Sequence, residues 1–276
     1  MLVTRRQLLA SSAFMPLKAA SNEAEDILAR AATFDTENYL ALKPFVWNSE
    51  ELGHRNGRET RHQKYEINML SGAMYWRKLE SQHKPLAGAE AELEAKRLAQ
   101  HLKEPRPADG LPPDNGWRFE RAFYADLPRL HRIEKFTQED WQGLAVHRLR
   151  LKPIKDARSQ NPNGAFANSL EIDVRLDKQS LHWVHAEWRA TRKVAWTFRQ
   201  LTLGRLSMIY SNNIVYRATL DKKDHFYWTL QRLPNRDNSP GPWTLAEYET
   251  QAGTYRNYLR YFNFRRYTSE SELIVQ

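Results

Sequence analysis

The sequence predicts a mainly antiparallel β fold of the α+β type: a curved, incomplete β-barrel built as a meander, with an N-terminal helix and an inserted helix as lid. Three observations carry this. From residue 129 onward, strand-like segments follow one another with turn signals between most of them. Their residues alternate between apolar or aromatic and Arg, Lys, Glu or His, which gives a sheet one oily and one wet side. Strand and helix do not alternate regularly, which sets aside a doubly wound parallel sheet.

The chain opens with TRRQLLASSAFMPLKAAS at residues 4–21. Arg5 and Arg6 precede an apolar run from Leu8 to Leu17, and Ala19-Ala20-Ser21 follows it. A bilayer-spanning helix needs ~20 apolar residues, and this run is far shorter. Basic, apolar, small is the order of an export signal. Thr4-Arg5-Arg6-Gln7-Leu8-Leu9 also fits a twin-arginine address. Residues 1–21 are therefore expected to be an export signal and residues 22–276 one soluble periplasmic domain.

The 276-residue chain carries a net charge of +9, which becomes +6 without Arg5, Arg6 and Lys18. Such a surface attracts anionic lipid, polyanionic glycan or nucleic acid, and export argues against nucleic acid. With no cysteine, disulfides, thiolate catalysis and cysteine zinc sites are excluded.

Each element has a local cause. Ile27, Leu28, Ala31, Ala32 and Phe34 make a helical stripe over 23–42, and Pro44 ends it. Residues 45–55 and 58–70 flank Asn56-Gly57, a pair that supplies the positive φ angles of a two-residue hairpin turn. Strict pairing around that turn sets residue 54 opposite 59 and 51 opposite 62. A third strand spans 73–81. LAGAEAELEAKRLAQHLK at 86–103 predicts a helix with a packing stripe at Ala91, Ala95, Leu98 and Leu102. A proline- and glycine-rich connection from Pro105 to Gly116 and a short helix over 117–127 come next. Strands are expected at 129–137, 144–152, 169–176, 181–191, 194–203, 206–220, 225–233, 243–251 and 254–267.

The chain contains no G-x-G, P-loop, G-x-S-x-G or H-E-x-x-H. His182 and His185 are three apart on a strand and so point to opposite faces. No metal site, cofactor or catalytic residue is expected. Asp221 to His225 is expected to be a solvated turn.

The segment Val174-Arg175-Leu176-Asp177-Lys178-Gln179-Ser180-Leu181-His182-Trp183-Val184-His185-Ala186-Glu187, with Trp141-Gln142-Gly143-Leu144-Ala145-Val146 before it, resembles the strand–Asp-turn–strand of exported proteins in the outer-membrane lipoprotein carrier (LolA-like) superfamily. The resemblance covers most of residues 23–268. It implies an incompletely closed barrel with helices as a lid, a concave side that holds acyl chains, and a binding rather than an enzymatic role. The chain departs from lipoprotein carriers in its length, its 86–103 insert and its basic charge.

The expected function is therefore binding of lipid or lipidated cargo. Expected ligand contacts are Tyr65, Ile67, Met69, Trp188, Trp196, Phe198, Met208, Trp228 and Phe262, with Arg256 and Arg260 at the rim for an anionic headgroup. An anionic membrane surface or an envelope protein is a further expected partner. Two other functions compete. One is an envelope assembly module that binds a protein or anionic glycan and has a packed interior. The other is a hydrolase built from scattered Asp, Glu and His that converge in a cleft.

Overall fold

The computed structural model describes residues 17–31, 36–70, 73–103, 126–158, 167–199, 215–220, 222, 224–235 and 239–266. Two helices, α1 (Leu17–Ala31) and α2 (Thr36–Ala41), lead into β1 (Phe45–Arg55), β2 (Arg58–Leu70), β3 (Ala73–Ser81) and β4 (Lys84–Pro85). Helix α3 (Gly88–Lys103) comes next, then β5 (His131–Trp141), β6 (Leu144–Pro153), β7 (Leu170–Asp177) and β8 (Trp183–Ala190). The chain continues through β9 (Val194–Arg199), β10 (Val215–Leu220), β11 (His225–Pro234), β12 (Pro240–Ala252) and β13 (Tyr255–Arg266).

Eleven strands form one open, curved antiparallel sheet in the order β4-β3-β2-β1-β13-β12-β11-β8-β7-β6-β5. Among the described residues its outer strands, β4 and β5, do not pair with each other. Strands β8 and β11 pair directly, so β9 and β10 form a separate hairpin that leaves the sheet between them.

Local chemistry sets the turns. Asn56 and Gly57 take φ of 52° and 73°, the left-handed pair that a two-residue hairpin demands. In the Asp turn before β8, Asp177 Oδ2 accepts hydrogen bonds from Ser180 N at 2.8 Å and Ser180 Oγ at 2.6 Å. Asp224, in the stretch expected to be a solvated turn, is buried, and its Oδ1 accepts the Gly253 N–H at 2.8 Å.

Ala24, Ile27, Leu28 and Ala31 lie on one face of α1 and pack on the main core with Leu149, Ile172, Val174 and Trp183. The last turn of a helix leaves carbonyls without partners; here Trp183 Nε1 donates to Ala31 O at 2.7 Å. Helix α2 is fixed by one side chain that mimics a strand. Asn38 Nδ2 donates to Trp243 O at 2.9 Å, and Trp243 N donates to Asn38 Oδ1 at 2.6 Å. A second cluster, with Leu42, Trp47, Tyr65, Ile67, Trp76 and Tyr261, fills the β1–β3 side of the same face.

Several expectations shift. The helix expected over 23–42 is α1 and α2, and α1 begins at Leu17, inside the stretch assigned to the export signal. Helix α3 packs through Glu94, Arg97 and His101, while Ala95 and Leu102 are exposed. Tyr75 of β3 donates to the buried Glu94 at 2.6 Å, and its ring lies 4.7 Å from that of His101. Tyr75 precedes the inward Trp76, so α3 meets the sheet on its outer side, and α1 covers the inner face. The cause is chemical: the buried position of α3 is a carboxylate that needs a hydroxyl partner, not an apolar side chain seeking the core. The expected helix over 117–127 and the strand residues 200–214 lie outside the described residues, apart from helical residues 126–130.

Two outcomes test this packing. Asn38→Ala leaves both the N–H and the C=O of Trp243 without their partner, and should lower unfolding stability by about 1–3 kcal/mol in urea titrations. Burial pushes the imidazoles of His131, His147 and His185 below their ordinary range, with Lys178 adding to this at His147 and Arg175 at His185. The unfolded chain therefore binds protons more readily at these sites. Their contribution to stability is complete above about pH 6.5 and is lost as pH falls through the lower folded values. Urea midpoints should fall between about pH 7 and about pH 5, with a shallower slope in His131→Asn.

Candidate functional site

Two continuous rows of side chains cross the inner face. The register aligns Phe136, Leu149, Val174, Ala186, Trp228, Tyr248, Leu259, Glu51 and Gln63 as successive cross-strand partners from β5 to β2. The adjacent row runs Leu151, Ile172, Trp188, Phe226, Thr250, Asn257, Gly53 and Arg61. Each row is apolar across β6, β7, β8 and β11 and turns polar towards β1 and β2. Trp188 stacks on Phe226 with ring centroids 5.5 Å apart, and Trp183 lies 6.2 Å from both Trp188 and Trp228.

The polar end holds a carboxylate that is almost fully buried. Glu51 is 4% exposed, and its Oε1 accepts from Arg61 Nη1 at 2.9 Å. Among the described residues, Ser49 Oγ and Asn257 Oδ1 are buried with no hydrogen-bond partner. Buried orphans of this kind cost about 1–3 kcal/mol each, and a ligand or water that supplies the partner removes the cost. Gly53 lies between these groups. A Cβ there would come 3.1 Å from Arg61 Cβ, 3.7 Å from the Tyr255 hydroxyl and 3.8 Å from Asn257 Oδ1. Burial raises the phenols of Tyr248, to about 12, and Tyr255, so both are neutral donors at physiological pH. Along these two rows the inner face is thus amphipathic from strand to strand: oily across β6 to β11, rich in hydrogen-bonding groups towards β1 and β2.

Tyr65, Ile67, Trp188 and Trp228 lie on this face and are buried, and Met69 packs at its edge against the second cluster. The side chains of Trp196 and Phe198 in β9, and residue Met208, lie outside the described residues. Arg256, Arg260 and Phe262 occupy the opposite, outer face, because the inward residues of β13 are Asn257, Leu259 and Tyr261. Both arginines already have partners there. Arg256 binds Glu249 at 2.8 and 2.9 Å, and Arg260 binds Glu50 at 2.8 Å while covering the Phe262 ring. The physical reason is charge: both faces of β13 carry aromatics, and the one that also carries arginines stays in water.

Glu51, Gly53, Ser49, Asn257 and Arg61 were not expected from the sequence. Strict pairing around Asn56-Gly57 would set Glu51 opposite His62. The observed partners are Glu51 with Gln63 and Leu52 with His62, because Thr60 is an extra residue between Glu59 and Arg61. A glycine inside a strand pattern, Gly53, was the available signal for a bulge or a close approach.

No family model matches the chain, and no curated protein sequence matches it. Among solved structures it is similar to a DUF1329 family protein from Desulfovibrio piger, at 10% identity over 91% of this chain and 95% of that one, with a TM-score of 0.35. It is similar also to a Vibrio parahaemolyticus domain named for outer-membrane lipoprotein sorting, at 12% identity over 91% and 93%, with a TM-score of 0.36. A LolA superfamily protein from Nitrosomonas europaea aligns at 10% identity over 93% of this chain and 98% of that one, with a TM-score of 0.29.

The Glu51–Arg61 pair makes the polar end testable without a ligand. Arg61→Ala leaves a buried carboxylate uncompensated and should destabilise the fold by about 1–3 kcal/mol. Adding Glu51→Leu to that variant should recover most of the loss. Chemical denaturation of the two single variants and the double variant checks the cycle.

Proposed function

We propose that this chain is an exported binding protein of the cell envelope that takes a lipid, or the acyl part of a lipidated cargo, on the inner face of its open sheet and catalyses no reaction on it. The observation that carries this reading is the strand-to-strand amphipathicity of that face. Aromatic and aliphatic side chains from β6 to β11 suit hydrocarbon, for which each buried methylene contributes ~0.8 kcal/mol. Ser49, Glu51 and Asn257 suit a polar end group that donates hydrogen bonds. The anionic headgroup expected at Arg256 and Arg260 is replaced in this proposal, since those side chains are engaged on the other face. Trp228 and Trp188 line the acyl part, and Tyr65, Ile67 and Met69 support it from β2; Trp196, Phe198 and Met208 belong to the proposal on sequence grounds alone. The basic-apolar-small order of residues 4–21 supports export to the periplasm, with Thr4 to Leu9 supporting the twin-arginine route. Among the described residues no group of three or more His, Asp and Glu side chains is arranged to hold a metal.

One observation favours a second reading, an interaction module that carries no lipid: Ile67 and Trp188 are fully buried, and α1 already packs on the aromatic half. Native mass spectrometry separates the two. Protein purified from the envelope should carry an amphiphile or take up a fatty-acylated peptide at low micromolar concentration, and Trp228→Lys should weaken uptake at least tenfold with the fold retained. Protein that neither carries nor takes up an amphiphile refutes the lipid reading.

A further inference from the structure

The loops at one end of the sheet are tied into a continuous belt by hydrogen bonds. Ile154 N donates to Leu130 O at 2.8 Å, and Asn168 Nδ2 donates to Ala157 O at 3.0 Å. Thr191 N donates to Ser169 O at 2.8 Å, and Ala190 N donates to Asp224 O at 2.9 Å. Asp224 Oδ1 then accepts from Gly253 N at 2.8 Å, and Asn56 N donates to Thr254 O at 3.0 Å. The belt therefore joins the ends of β5 and β6, β7 and β8, β11 and β12, and the β13 and β1–β2 turns.

Cations crowd this belt. Lys155, Arg158, Arg192, Lys193, Lys222, Arg55 and Arg58 are all exposed along it. Among the described residues Asp156 and Glu59 are its exposed carboxylates, and Glu59 is bound by His83 Nε2 at 2.6 Å. Among the described residues, Arg55, Arg58, Lys155, Arg158, Arg192 and Lys193 have no ion-pair partner. The belt itself is made by backbone groups, Asn168 and Asp224, and its hydrogen bonds use none of these six side chains. At the other end of the sheet Arg265 binds Glu66 at 3.0 Å, Lys178 donates to the amide oxygen of Gln138 at 2.5 Å, and Arg232 covers the Trp243 ring at 5.3 Å.

We infer that this belt is a docking surface for an anionic lipid bilayer. The cations stand at the ends of many strands spaced about 4.8 Å apart, so they meet a broad field of phosphates rather than one small anion. A polybasic surface of this kind is drawn to the negative potential of anionic lipids and loses that attraction over a Debye length. Strands β9 and β10 leave the sheet at the same end, and neither VAWTFR nor VYRATL contains a carboxylate that would be repelled there. The inference is independent of what the inner face binds.

Co-sedimentation with vesicles tests it. The protein should pellet with phosphatidylcholine vesicles containing phosphatidylglycerol and not with pure phosphatidylcholine, and added salt should release it. Arg55→Glu with Arg58→Glu and Lys193→Glu should weaken vesicle binding at least tenfold. Lys96→Glu with Lys103→Glu and Lys135→Glu changes net charge equally, away from the belt, and should weaken it less than twofold. Circular dichroism confirms that both variants are folded. Equal losses in the two variants, no binding to the anionic vesicles, or binding to an anionic glycan such as heparin with the vesicles ignored, would each overturn the inference.

Discussion

The structure depends on a counting constraint. Side chains on a strand alternate between faces, so one added residue exchanges everything beyond it between the core and water. Thr60 is such a residue. Before it, Arg55 and His54 face Arg58 and Glu59; beyond it, Gly53 faces Arg61 and Leu52 faces His62. The bulge brings a guanidinium, charged at any physiological pH, beside the buried Glu51. It also sends His62 to the outer face. There His62 Nδ1 accepts the His83 N–H at 3.1 Å, which leaves Nε2 as the donor to Glu50 at 2.9 Å. Had Thr60 paired with Gly53 instead of bulging, Arg61 would turn to the outer face, His62 would stand opposite Glu51, and the polar end of the inner face would depend on pH.

The same rule accounts for which parts of the fold were legible in the sequence. Strand limits were, because turns announce themselves in residue type: β6, β8 and β11 fall within two residues of the expected bounds. Faces were legible where parity ran unbroken, as for Ala186, Trp188 and Ala190 in β8 and for Phe226 and Trp228 in β11. They were not where a bulge intervened. Val184, two residues before Ala186, is the unpaired residue between Trp183 and His185 and joins Val146 and Trp243 instead of the Ala186 cluster. In β13, Phe264 returns to the Trp47 cluster after Asn263 takes a φ of 56°, while Phe262 stays outside. Bulges carry weak composition signals, so the acyl-facing half of the candidate site could be read from aromatic alternation and its polar half could not.

Charge on the outer face follows the same geometry. Register pairing sets Glu247, Arg260, Glu50, Lys64 and Glu80 in a row of alternating sign across β12, β13, β1, β2 and β3. On the far side Arg148 grips Asp173 through two bonds of 2.9 and 2.7 Å, and Arg150 and Arg175 flank the same carboxylate. Burial alone would raise the Asp173 pKa; the arginines outweigh it and hold the carboxyl below its usual range. Opposite charges that face each other across strands stabilise pairing, and like charges oppose it. Each strand cation therefore tends to be matched by an acid on a neighbouring strand.

Loops are under no such demand. A turn residue such as Lys155, Arg158, Arg192 or Lys193 has no cross-strand neighbour to repel, so unmatched positive charge can stay there without weakening the sheet; only Arg55 and Arg58, which flank the Asn56-Gly57 turn, face each other across strands. Among the described residues, that distinction leaves positive charge without acidic partners in the turns at one end of the sheet. At the belt it stays unmatched because the hydrogen bonds there are made by backbone groups, Asn168 and a buried aspartate, and use none of the side chains of Arg55, Arg58, Lys155, Arg158, Arg192 and Lys193. The inner rows, the outer rows and the belt are thus three consequences of where pairing constrains a side chain and where it does not.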